Sequence, residues 1–338
     1  MSATTDDART RLRELLGLDR LDRVADPTAD PLSDPGTDAP ADAGGAGSAR
    51  VLLEAGELPA PGVPLETRVL RADGTAIPAH LLRPAPEDDL GAGVVLVAGH
   101  GNGIDDLVDP ADAYHHGLAH QMAAAGFTVL CPEMVSFGRR RVPRPASAEP
   151  YGPGENSCGI DAARHLLHGV PVMGRRVADA AAAAEALGAL PGVDPRRVAV
   201  AGGSGGGAVA LLLAAADETV AGALVATYFS SFAASLAAIR HCPCNIVPGL
   251  LPELEMAEIA ALVAPRPLIL EAGERDAIFP IAAARDSYAR LVASWGRGRA
   301  EAERGDLPAL VVTPEGHRFV GERSVELLSE RLEGRAAA

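Results

Sequence analysis

Val198-Ala199-Val200-Ala201-Gly202-Gly203-Ser204-Gly205-Gly206-Gly207, running on into Ala208-Val209-Ala210-Leu211-Leu212, decides the reading of this chain. A short apolar, β-branched run enters a glycine cluster with one serine at its centre, and an alanine- and leucine-rich helix leaves it. Strand, sharp turn, helix is the context that a G-x-S-x-G nucleophile elbow requires. The serine must sit on a strained turn with its hydroxyl pushed outward, and side chains two positions either side would collide across that turn. Gly202 and Gly206 carry no Cβ, so the turn can close. The helix after Ser204 also directs N–H groups and a positive dipole end at the hydroxyl. A phosphate cradle fits poorly: G-x-G-x-x-G is matched only by force, and no acidic residue follows about 20 residues on at a second strand end. All 30 basic residues are arginine. The absence of lysine rules out a P-loop, a pyridoxal Schiff base and a Ser–Lys dyad.

A serine nucleophile needs a base, and the base needs an orienting acid. Pro267-Leu268-Ile269-Leu270-Glu271-Ala272-Gly273 reads as a buried strand, and Glu274-Arg275-Asp276 follows it as a turn. Ala309-Leu310-Val311-Val312-Thr313 reads as another strand, with Pro314-Glu315-Gly316-His317 as the loop into a final helix. Asp276 and His317 each sit just past the carboxyl end of a strand, where open α/β sheets place ligands. Their plain readings are a helix cap and a solvated loop residue. Taken together in the order Ser204, Asp276, His317, they match the triad order of an α/β hydrolase. Upstream, Gly93 to Gly99 is a strand and His100-Gly101-Asn102-Gly103 follows it, an H-G-x-G type of oxyanion loop. The backbone N–H groups of Asn102 and Gly205 are the expected oxyanion donors, and His100 is expected to be a structural loop histidine.

These segments resemble the α/β-hydrolase superfamily, and within it the bacterial branch of dienelactone-hydrolase-like, acetyl-xylan-esterase-like and prolyl-oligopeptidase-like enzymes. They are His100-Gly101-Asn102-Gly103, Val193-Asp194-Pro195-Arg196-Arg197-Val198 entering the elbow, Gly273-Glu274-Arg275-Asp276 and Gly316-His317, spread over most of residues 65–335. Phe137-Gly138-Arg139-Arg140 and His241-Cys242-Pro243-Cys244-Asn245 with Pro248-Gly249 are also similar to that branch. The resemblance implies an α/β-hydrolase fold, with a mostly parallel central sheet, helices on both faces and a small lid, and a serine hydrolase site. It leaves the substrate open, because one scaffold of this kind supports many chemistries.

Composition agrees. An apolar fraction of 48% over 338 residues supplies one large core. A net charge of −15 disfavours nucleic acid and anionic membranes, both of which need a basic footprint. No apolar run reaches the roughly 18 residues of a membrane span, and the first residues lack a basic, then apolar, leader. A cytoplasmic location and reduced thiols are therefore expected. No residue pattern specifies an oligomeric state. Residues 1–20 are expected to hold an amphipathic helix stopped by Gly17, residues 21–60 a linker rich in Asp, Pro, Ala and Gly, and residues 61–338 the catalytic domain. Glu66 to Leu82, with Asp73-Gly74 in the middle, reads as a hairpin that starts the sheet.

Two long stretches, 132–157 and 229–258, fall on the expected catalytic edge. Arg139 and Arg140 read either as a solvated face or as a clamp for a substrate carboxylate. His241 and Cys242 read either as pocket lining or as lid packing. A metal is not expected: a closed zinc site wants four ligands with C-x₂₋₄-C spacing, and Cys242-x-Cys244 has no distant partner pair. Cys131 and Cys158 read as buried. No cofactor is expected. The chemistry expected is acyl transfer from a small soluble ester, lactone or thioester through Ser204. The alternative is a lyase, dehydratase or other cofactor-independent enzyme using His317 and Asp276 as a proton shuttle. An aromatic content of 3% leaves few platforms for stacking on sugar rings.

Overall fold

The alternation of side chains along the central strands sorts the apolar residues into two cores, one on each face of a single sheet. On the strand Ala92–Val97, Val95 and Val97 join one core while Val94 and Leu96 join the other. On Val198–Gly203, Val198 and Val200 face the first core and Ala199 and Ala201 the second. A period of two places successive side chains on opposite faces, and a strand buried on both faces has to be apolar throughout.

The computed structural model describes residues 4–23, 49–53, 60–71, 74–144, 147–251, 253–297, 299–300, 303 and 305–336. In chain order the elements are α1 (Thr5–Leu16), β1 (Arg50–Leu53), β2 (Leu65–Leu70), β3 (Ala76–Leu82), β4 (Ala92–Val97), α2 (Asp105–Val108), α3 (Leu118–Ala124) and β5 (Phe127–Pro132). There follow α4 (Cys158–Leu167), α5 (Val172–Gly188), β6 (Val198–Gly203), α6 (Gly205–Ala216), β7 (Ala223–Ala226) and α7 (Met256–Ala261). The chain ends with β8 (Leu268–Gly273), α8 (Ile281–Ser294), β9 (Ala309–Thr313) and α9 (Glu322–Ala336). The sheet order is β1-β2-β3-β5-β4-β6-β7-β8-β9. β1 to β3 form an antiparallel meander that joins β5 antiparallel, and every pairing from β5 to β9 is parallel. The chain leaves β4 toward β5 on one side and later returns on its other side with β6. The order therefore reverses at β4, and the carboxyl ends of β4 and β6 border the crevice where such sheets bind ligands.

All twelve residues of α6 are buried, which its composition of glycine, alanine, valine and leucine permits. Its carboxyl end is capped by arginines from elsewhere. Arg9 Nε donates to the Ala215 carbonyl at 3.1 Å, and Arg266 donates to the Ala214, Asp217 and Val220 carbonyls. Those bonds satisfy carbonyls that the helix itself leaves open.

The amino-terminal helix begins with a Thr4–Asp7 capping box and ends at Gly17 in the left-handed conformation. It docks on the sheet domain through buried Leu12 and Leu16 rather than standing apart. Arg50–Leu53, inside the expected linker, is an edge strand paired with β2, so the linker boundaries of 21–60 are too wide. The rest of that linker, 24–48 and 54–59, lies outside the described residues. Among the described residues no helix is long and apolar enough to cross a membrane.

Candidate active site

Ser204 occupies the turn between β6 and α6 with φ 54° and ψ −119°, a backbone conformation that side-chain-bearing residues rarely adopt. The turn closes because a Cβ on Gly202 would run into the carbonyl of Gly206, and one on Gly206 into the carbonyl of Val97. The serine N–H is anchored to the Ala226 carbonyl of β7 at 2.9 Å.

Asp276 and His317, 41 residues apart in sequence, meet at the ends of β8 and β9. His317 Nδ1 lies 2.8 Å from Asp276 Oδ2, and His317 Nε2 lies 3.0 Å from Ser204 Oγ. With the Nδ1–H donating to the carboxylate, Nε2 presents its lone pair to the serine hydroxyl. Asp276 is buried, and its other oxygen accepts the N–H groups of Ile278 and Phe279 at 2.8 and 3.0 Å. Those bonds fix the orientation of the carboxylate. The three residues have the geometry to activate a hydroxyl for attack on a carbonyl carbon.

Several residues that sequence reading did not single out hold the histidine in place. Phe279 stacks on the His317 ring at 5.8 Å between centroids, and Tyr114 leans on it at 5.3 Å. The Tyr114 hydroxyl hydrogen-bonds Thr227, and burial pushes its pKa up. His116 Nε2 donates to the Phe319 carbonyl at 2.7 Å. Glu271, the one charged residue in the strand Leu268–Gly273, is buried and accepts the N–H groups of Val320 and Gly321 and the Ser324 hydroxyl. It thereby ties the loop carrying His317 to β8. A carboxylate inside an apolar strand was the available signal for it.

The oxyanion side differs from expectation. The Asn102 N–H donates to Asp106 Oδ2 at 2.7 Å, and the Asn102 side-chain amide donates to Asp106 Oδ1 at 2.9 Å. Asn102 is thus a loop-building residue whose N–H is already engaged, which corrects its assignment as an oxyanion donor. The Gly99 N–H is likewise engaged, by His115 Nε2 at 3.2 Å. Between them, the N–H groups of His100 and Gly101 have no acceptor among the described residues. Gly205 opens α6, so its N–H has no acceptor within the helix. The His100 ring packs on Gly205 so closely that a Cβ there would lie 2.8 Å from Nδ1. Behind this loop, buried Glu133 accepts the N–H groups of Ile104 and Arg139, each at 3.3 Å. Burial pushes its pKa up to about 7, against a smaller lowering by the Arg139 N–H and charge.

Neither arginine of the 138–140 turn is set up as a substrate clamp. Arg140 is buried, with Nη1 2.7 Å from Asp179 and 2.9 Å from the Glu133 carbonyl. Arg139 is exposed and paired with Asp105 at 3.0 Å. Both guanidinium groups already have a protein carboxylate. His241, half-buried, has its ring 6.2 Å from Phe279 and 6.2 Å from His100, and burial lowers its pKa. Cys242 is half-buried beside it.

The model of the dienelactone hydrolase family matches residues 85–294, more than half of the chain. A search of curated proteins finds no match. Among solved structures, a glucuronoyl esterase from Solibacter usitatus is 16% identical over 85% of this chain and 89% of its own, with a TM-score of 0.55. Acetyl xylan esterase 1 from Thermoanaerobacterium sp. JW/SL YS485 is 16% identical over 96% and 93%, with a TM-score of 0.53. An acetyl xylan esterase from Paenibacillus sp. R4 is 18% identical over 97% and 94%, with a TM-score of 0.54. At such identities these likenesses establish the α/β-hydrolase fold, and the family match goes further: this chain belongs to the dienelactone hydrolase family.

Proposed function

We propose that this protein is a carboxylic ester hydrolase that works through an acyl-enzyme on Ser204. The observation that carries the reading is the unbroken relay from Ser204 Oγ to His317 Nε2 at 3.0 Å and from His317 Nδ1 to Asp276 at 2.8 Å. His317 takes the serine proton as Oγ attacks the carbonyl carbon, and Asp276 holds the tautomer and stabilises the imidazolium. The N–H of Gly205 and a second N–H from the His100–Gly101 turn stabilise the oxyanion. His317 then returns its proton to the leaving alcohol. Water, deprotonated by the same histidine, releases the acid.

Family membership and the esterase names of the structural neighbours support the reaction class. The substrate proposed is a small soluble ester, lactone or thioester. Fluorophosphonate labelling of the intact chain tests the mechanism. One label on Ser204, abolished in Ser204→Ala together with turnover of short p-nitrophenyl esters, is the expected result. A folded Ser204→Ala protein with full esterase activity would remove the nucleophile assignment, and an unlabelled chain that still turns over its substrate would favour proton-shuttle chemistry.

A further inference from the structure

Three thiols and an imidazole meet beside the oxyanion loop, brought together from three separate parts of the chain. His100 follows β4, Cys158 opens α4, and Cys242 and Cys244 sit in the loop after β7. One ligand atom from each of these four residues lies within 4.8 Å of all the others, and His100 Nε2 is 3.0 Å from Cys244 Sγ. A tetrahedral zinc with Zn–S bonds of about 2.3 Å has ligand–ligand edges of about 3.8 Å, so shifts of about 1 Å would close the set. Cys242-x-Cys244 lacks a distant partner pair in the sequence pattern but has one in three dimensions. The distant pair is His100 and Cys158.

Arg176 is buried, with Nη2 3.1 Å from Cys158 Sγ. It also donates to the Val135 carbonyl, and its guanidinium lies over the Phe137 ring at 4.6 Å. No carboxylate among the described residues is within ion-pair distance of it. Asp161 feels its charge, but burial pushes that carboxyl toward the neutral form. A buried cation without an anion is costly, and the groups that face this one are thiols. A zinc ion held by three thiolates would leave, together with the guanidinium, no net charge buried there.

We propose that His100, Cys158, Cys242 and Cys244 bind one zinc ion in a closed, four-coordinate structural site. Three thiolates and an imidazole are a set that zinc favours, whereas an iron–sulfur cluster of the usual kind needs four cysteines. Phe137, edge-on to the His100 ring at 5.3 Å, and Arg176 would form its outer shell. Such a site would pin the loop after β4 to the start of α4 and to the 241–245 loop, with His100 held against Gly205. It takes no part in proton transfer, and it stands or falls independently of the ester-hydrolase reading.

The test is metal content and coordination of the full chain, purified under reducing conditions and passed through a chelating buffer. About one zinc per chain is expected, with X-ray absorption showing three sulfur donors and one nitrogen. Cobalt substitution should give the intense visible bands of a tetrahedral thiolate site. Cys242→Ser, at a half-buried position, should lose the metal, while Cys131→Ala, on β5 and outside the cluster, should keep it. If Cys242→Ser fails to fold, the coordination measured in the wild-type chain still decides the matter. Zinc well below one per chain, a disulfide among these cysteines by intact mass, or zinc held by oxygen donors and retained in Cys242→Ser would overturn the proposal.

Discussion

The two sides of the Ser204 centre are braced in different ways. On the histidine side, each support is a hydrogen bond or ring contact to a group already fixed by a strand end. Asp276 leans on the N–H groups of Ile278 and Phe279, and Glu271 on those of Val320 and Gly321. On the oxyanion side, one short loop is held by two carboxylates and a histidine that follow it in the chain: Asp106, Glu133 and His115. In the proposed mechanism the first arrangement positions one proton carrier. The second shapes a backbone turn, and backbone N–H groups can be aimed only by controlling every neighbouring acceptor. A donor that finds a partner within the protein, as Asn102 does, is lost to the substrate.

Breaking the histidine side should have the largest effect. Asp276→Asn keeps the shape but presents an amide to Nδ1, so the imidazole can adopt the wrong tautomer. The expected loss in kcat on activated esters is on the order of 10⁴, as in serine proteases. His317→Ala should lose at least as much. Steady-state kinetics with the fold checked by circular dichroism decides this, and a loss of less than tenfold in either variant would dissolve the relay.

The histidine side was also the more legible in sequence. Ser204, Asp276 and His317 are recognisable because their chemistry restricts residue type and the fold restricts their place to strand ends. The hairpin Glu66 to Leu82 and the strands from β4 onward were legible from apolar runs and turn residues. The oxyanion side was not. Nothing local in His100-Gly101-Asn102-Gly103 says that the Asp106 carboxylate will take the Asn102 N–H, or that Glu133 will reach across to Ile104. Arg140 read either as part of a solvated face or as a clamp for a substrate carboxylate, and its burial against Asp179 of α5 depends on packing 39 residues away. The meeting of Cys158 with His100, Cys242 and Cys244 was hidden for the same reason, since spacing along the chain does not show which distant residues the fold brings together.

Glu133 sharpens the contrast through pH. Its folded pKa of about 7 stands above the ordinary value of 4.5. Between those values the unfolded chain releases this proton while the folded chain keeps it. Stability therefore falls as pH rises from about 4.5 to about 7, by up to ~3 kcal/mol, and then levels off. Glu133→Gln keeps an acceptor oxygen for only one of the Ile104 and Arg139 N–H groups, at a cost that does not vary with pH, and it cannot ionise. Urea unfolding at pH 5 and pH 8 should show a smaller pH-dependent loss in the variant than in the wild type. Equal losses in the two proteins would mean that the Glu133 carboxyl titrates normally in the fold.

His241 stands where the two sides meet, with its ring 6.2 Å from Phe279 on one side and 6.2 Å from His100 on the other. Burial lowers its pKa, and the neighbouring His100 and His317 add to that, so the ring is predominantly neutral at pH 7. It makes no hydrogen bond to Ser204. Its only hydrogen bond among the described residues runs from Nδ1 to the Cys242 carbonyl at 3.4 Å. A neutral ring so placed can shape the space over the serine without moving its proton. His241→Ala should therefore raise KM or shift ester preference by up to about tenfold, while kcat stays within about threefold. The comparison that matters is with His317→Ala under the same assay. If His241→Ala instead lost several orders of magnitude in kcat and His317→Ala did not, the base would sit on the other side of the centre, and the division between a proton-carrying side and a backbone-shaping side would have to be reversed.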